Sequence, residues 1–124
     1  MRILYILLSI IFLSCNNGES KLVRKKIENG DVTIKWYYYS YITSTIPDFI
    51  EIERDKSKVE IYKAKMVIVD LVLKEKNIIL KLAGHQKGKV FTKNVPQQIF
   101  EYQIILDTSG NSNQLPYFPK GIKE

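Results

Sequence analysis

The chain has 124 residues, 19 basic against 13 acidic side chains, and a formal charge of +6 at neutral pH, with one cysteine and one histidine. One cysteine excludes an internal disulfide, and together with one histidine it argues against a zinc centre of the Cys/His type or a Cys–His nucleophile pair. Sixteen of the basic residues are lysines spread through the chain. That pattern suits solvated point charges more than the bidentate recognition arginine provides, and it argues against a nucleic-acid partner.

In chain order, Arg2 is followed by the run Ile3–Leu13, in which only Ser9 is neither apolar nor aromatic, and then by Ser14 and Cys15. A membrane-spanning helix needs roughly 17 to 25 residues, so the run is too short to cross comfortably. A positive start, a short apolar helix and a small residue at its end describe a secretory signal peptide, residues 1–14. Leu13-Ser14-Cys15 resembles the lipobox of bacterial lipoproteins, although Phe12 stands where leucine is commonest. The resemblance implies cleavage before Cys15 and acylation of its thiol, for instance with palmitate, which leaves a mature chain of 110 residues and charge +5. Residues 15–20 then read as the lipidated cysteine with a flexible spacer. A basic domain held at a membrane is drawn towards anionic headgroups or acidic glycans.

The segment 21–28 reads as a first, edge strand, closed by the turn Asn29-Gly30-Asp31. The clearest strand signal covers 32–42. Val32, Ile34, Trp36, Tyr38 and Ile42 fall on one face, with Ser40 between them, and Thr33, Lys35, Tyr37, Tyr39 and Tyr41 on the other. Pro47 breaks the run, and 49–54 and 59–64 form a hairpin pair around a polar turn. The stretch 65–73 is apolar on both faces, which predicts a central strand covered from both sides. Asp70 within it is expected near an edge, or paired with a lysine or a backbone donor. Strands are expected over 78–83, briefly at Val90 and Phe91, and over 98–106, with Phe100, Tyr102, Ile104 and Leu106 on one apolar face. The resulting expectation is an all-β domain over 21–107, a single antiparallel sandwich, open barrel or meander of about six or seven short strands. A polar tail, 108–124, mobile or loosely docked, completes it.

No catalytic constellation emerges, and no cofactor or metal is implied. Gly84-His85-Gln86-Lys87-Gly88-Lys89 departs from a phosphate loop in its glycine spacing and in Val90, and His85 lacks a nucleophile elbow. Lys81, His85, Lys87 and Lys89 remain as a small candidate anion patch. Glu51 and Glu53, two apart on one strand, read as a solvated sheet face more readily than as a glycosidase pair. Tyr37, Tyr39 and Tyr41 are the candidate interaction surface, their rings offering rigid amphipathic contact area. The competing reading has them half-buried beneath neighbouring strands or Tyr117 and Phe118.

Taken whole, Leu13-Ser14-Cys15-Asn16, the strand Trp36–Tyr41 and the segment Pro47–Ile52 resemble the small uncharacterised lipoproteins of Bacteroidota-type Gram-negative bacteria. The resemblance implies the cell envelope, with a lipid anchor in what is expected to be the outer membrane. The expected function is a non-enzymatic binding or interaction module for an envelope protein or glycan. The alternative is a small envelope hydrolase, or an inhibitor or immunity-like protein acting on an envelope enzyme.

Overall fold

The computed structural model describes residues 20–40, 47–83, 88–110 and 122–123. The expected signal peptide, residues 1–14, and Cys15 lie outside these residues, as do Tyr41, His85, Lys87 and the stretch with Tyr117 and Phe118. Among the described residues the protein is all-β, with strands β1 (Ser20–Asn29), β2 (Val32–Ser40), β3 (Asp48–Arg54), β4 (Ser57–Lys65), β5 (Ile68–Lys74), β6 (Asn77–Ala83), β7 (Lys89–Val90), β8 (Gln98–Ile99), β9 (Tyr102–Gly110) and β10 (Ile122–Lys123). They form a six-stranded sheet A, in the order β10-β1-β2-β3-β4-β7, and a four-stranded sheet B, in the order β5-β6-β9-β8. The two sheets share one apolar core and do not close into a barrel.

The alternation of β2 does what period two requires. Val32, Ile34 and Trp36 are buried together with Ile50 and Ile52 from β3, Ile61 from β4, and Leu71, Ile78, Leu80 and Tyr102 from sheet B. Each CH₂ withdrawn from water contributes about 0.8 kcal/mol, so this shared core is the main source of stability in a chain with no disulfide. Four two-residue hairpins join neighbouring strands. In each the first turn residue has positive φ: Gly30 (62°), Asp55 (55°), Glu75 (56°) and Phe100 (53°). That handedness matches the twist of the flanking strands, and only Gly30 adopts it without steric cost.

Four expectations need correction. Residues 65–73 are not a central strand: Met66 turns the chain with φ 54°, and β5 starts only at Ile68, on the edge of sheet B. The apolar run is continuous because it serves a turn and a strand in succession. Asp70 fits that edge, accepting from Lys25 Nζ at 3.1 Å and from the Leu71 N–H at 2.8 Å. The segment 98–106 is not one strand, because Phe100 and Glu101 form the β8–β9 hairpin, and Leu106 is exposed while Tyr102 is buried. Pairing is also not wholly antiparallel. β6 and β9 run parallel, Ile78 beside Ile104 and Leu80 beside Leu106. After β6 the chain crosses to sheet A, pairs as β7 with β4, and returns through β8, so it re-enters sheet B in its earlier direction. The boundary expected at Asp107 falls inside β9, which runs on to Gly110, and Ile122 and Lys123 pair with Val23 and Leu22.

Polar ties join the sheets at their rims. Asn29 Nδ2 donates to the Tyr102 hydroxyl at 2.8 Å. Arg54 lies 4.6 Å from the Phe100 ring centroid, pairs with Asp31 at 3.2 Å, and hydrogen-bonds the Glu101 carboxylate. The Arg54 hydrogen bond is the leading cause that holds Glu101 down at about 2. A lowered folded-state value stabilises the fold above the ordinary glutamate range and is lost as pH falls towards 2. Thermal melts between pH 2 and 6 are therefore expected to show a shallower acid loss in Glu101→Gln than in the parent. Parallel curves would remove this tie.

Gly88 marks where the chain joins sheet A. A Cβ there would stand 2.5 Å from Val67 Cγ2 and 2.7 Å from the Met66 carbonyl oxygen. Gly88→Ala must shift backbone and is expected to destabilise by about 1–3 kcal/mol in urea unfolding.

Candidate functional site

Cross-strand register places five residues in one row on the outer face of sheet A. Val23 opposes Tyr37, Tyr37 opposes Phe49, Phe49 opposes Lys63, and Phe91 continues the row by donating its N–H to the Lys63 carbonyl at 2.9 Å. Lys63 N–H in turn donates to Thr92 Oγ1 at 2.6 Å, so residues 91–92 extend the sheet past β7. Tyr37 and Phe49 stack at 5.2 Å and 10°, and Tyr39 meets both edge-on at 5.7 Å. Lys21 Nζ sits 4.1 Å above the Tyr37 ring, and Lys63 Nζ lies 5.2 Å from Phe49 and 5.5 Å from Phe91. Offset aromatic pairs and ammonium–ring contacts of this kind are each worth about 0.5–1.5 kcal/mol, so the platform is held rigid before any partner arrives.

Of the candidate tyrosines, the two described ones are not freely exposed, and Tyr41 lies outside the described residues. Tyr37 is 7% exposed and Tyr39 half-buried. Burial first, then the nearby Glu51 carboxylate and Tyr39, raises the Tyr37 hydroxyl well above the usual tyrosine range, so it stays neutral. Glu51 is half-buried on this face, 3.7 Å from Lys21 Nζ, and its Oε2 is buried without a hydrogen-bond partner. The wet face expected for Glu51 and Glu53 is thus partly covered at Glu51.

The candidate anion patch is not assembled by the described residues. Lys81 stands on β6 between Asp70 and Asp107 as cross-strand neighbours, and Lys89 lies on β7 in the other sheet, 5.1 Å from the Phe91 ring. Two carboxylates flanking Lys81 offset its charge, while His85 and Lys87 lie outside the described residues.

A second cluster faces inwards. A bulge between Val23 and Lys25 sets Arg24 and Lys25 both against Trp36, which turns Arg24 towards the core. Arg24 Nε donates to Asp48 Oδ2 at 2.8 Å, its Nη2 reaches Oδ1 at 3.4 Å, and Trp36 Nε1 donates to Oδ2 at 2.8 Å. The guanidinium lies 4.0 Å from the Tyr38 ring centroid. Burial pushes the Asp48 carboxyl up, against the opposing pull of Arg24 and Trp36. The pair is enclosed, and the Asp48 carboxylate accepts from both Arg24 and Trp36, so its role is to fix the start of β3.

Sequence reading missed Phe49, Lys63 and Phe91 as members of the outer platform, and Arg24 with Asp48 as partners. Phe49 was legible as a strand residue, but which face it shared with Tyr37 depends on pairing register. Among the described residues no group of acidic or histidine side chains is arranged to hold a metal ion. The chain matches no protein-family model, and no curated protein and no solved structure matches it.

Proposed function

We propose that this protein is an envelope-tethered lipoprotein, anchored through acylated Cys15, whose β domain is a non-enzymatic binding module for an envelope protein or glycan. The observation that supports this reading is the outer platform of sheet A, where Tyr37, Tyr39 and Phe49 are locked together beneath Lys21 and Lys63. Rigid aromatic area edged by cations gives contact energy at low entropic cost, whether the partner is a sugar face or a protein side chain. Half-exposed rings backed by buried ones suit shallow recognition at a sheet surface.

The test has two arms. Mass spectrometry of the membrane fraction should find Cys15 at the mature N-terminus and acylated; a free thiol there ends the anchor. Capture from envelope extracts by the acylated protein should lose its specific partner in Tyr39→Ala/Phe49→Ala and keep it in Lys74→Ala on sheet B. Turnover of an envelope substrate by the purified protein would overturn the non-enzymatic assignment.

A further inference from the structure

The register of sheet A brings the chain's point of entry and its most exposed apolar edge to the same end. β1 starts at Ser20, which opposes Ser40; β3 starts at Asp48, which opposes Ala64; Ala64 opposes Val90 and Lys65 opposes Lys89. The opposite end of the sheet carries the hairpins at Gly30-Asp31 and Asp55-Lys56. At the entry end Met66, Val90 and Phe91 are 44%, 46% and 39% exposed. Lys65 and Lys89 stand as a cross-strand pair beside them, and Lys63 reaches the Phe91 ring. At this end of sheet A the described carboxylate, Asp48, is buried and held by Arg24, so it does not offset those lysines. Apolar side chains ringed by lysines suit an anionic bilayer surface, where rings and aliphatic groups enter the headgroup region and ammonium groups meet phosphates. Four residues separate Cys15 from Ser20, and the five Cα-to-Cα steps between them reach at most about 17 Å.

We infer that the Met66–Val90–Phe91 edge, flanked by Lys63, Lys65 and Lys89, docks onto the anionic lipid surface in which the chain is anchored. The inference rests on the anchor at Cys15 proposed above. A short tether fixes which end faces the membrane, and the edge fixes how the domain lies on it. The sandwich then stands with the Gly30 and Asp55 hairpins directed away from the bilayer, and the outer platform of sheet A opens to the side.

Acylated Cys15 leaves any introduced cysteine as the sole thiol. Spin labels at Val90→Cys, Met66→Cys and Lys56→Cys report lipid contact in vesicles of phosphatidylglycerol, with phosphatidylcholine vesicles as the neutral comparison. Labels at 90 and 66 are expected to relax more with lipid-soluble oxygen than with an aqueous nickel reagent, and the label at 56 the reverse. Lys65→Gln/Lys89→Gln should lower the docked population about thirtyfold, as two interfacial lysines imply, while the protein stays vesicle-bound through its lipid. Labels at 90 and 66 as aqueous as that at 56, on protein whose Cys15 is acylated, would overturn the docking and leave the anchor intact. Spin–spin broadening at 90 would overturn it in favour of a second copy of the chain. An unmodified Cys15 would remove both the anchor and the docking.

Discussion

Arg24→Met is expected to destabilise the protein by about 3–5 kcal/mol, because it leaves the Asp48 carboxylate buried without its charge partner. Both side chains are largely enclosed, Arg24 at 15% and Asp48 at 10% exposure, so solvent screens the pair little. The loss should depend on pH in a defined direction. Burial already raises the folded-state value of Asp48, with Arg24 and Trp36 opposing the rise. A raised folded-state carboxyl favours the fold at low pH and costs stability as pH climbs through its titration. Removing Arg24 raises it further. The difference between variant and parent should therefore be small at about pH 3, below the ordinary aspartate value, where Asp48 is largely protonated folded or unfolded, and grow towards neutrality. Urea unfolding at several pH values measures this. A second change, Asp48→Asn, should restore most of the loss at neutral pH, since an amide needs no counter-charge. A deficit that stays constant from pH 3 to 7 would show that Arg24 acts through packing alone.

Trp36→Ala should destabilise by about 3–5 kcal/mol, through the cavity it opens between the sheets. At about 4 °C or more per kcal/mol for a domain of this size, the thermal midpoint should fall by more than about 12 °C. The indole is fully buried and its N–H also donates to Asp48, so the two contributions can be separated. Trp36→Phe keeps much of the apolar volume and loses the donor. It should cost about 1.5–3 kcal/mol, the usual worth of a hydrogen bond to a charged group, since Arg24 Nε still donates to the same Asp48 oxygen. Circular dichroism is the readout, because this is the sole tryptophan. Equal losses in the two variants would mean that the hydrogen bond carries the whole effect.

These two sites show how far periodicity reaches. The buried face of β2 was readable residue by residue, since Val32, Ile34 and Trp36 alternate with polar or amphipathic neighbours and no helix could bury them together. The β3–β4 hairpin was readable for the same reason. What failed was reading across irregularities. A left-handed residue at Met66 and another at Phe100 break apolar runs that look continuous in one dimension. Neither is a glycine or proline, so neither leaves the usual mark in the sequence.

The candidate site divides along the same line. Tyr37 and Tyr39 were legible as sharing a face, because that follows from spacing on one strand. Their burial and their stacking with Phe49 were not, because a tyrosine two positions along a strand says nothing about what stands on the next strand.

By itself, then, the amino-acid order determined the strand-forming stretches, which face of β2 is apolar, and the absence of any disulfide to share the work of the core. These follow from local chemistry: side-chain shape, period two and cysteine count. Tertiary structure alone decided the strand neighbours, the parallel β6–β9 pair, the inward turn of Arg24 and the pairing of Ala64 with Val90. Those depend on contacts between residues far apart along the chain, where a single bulge or turn changes which groups meet.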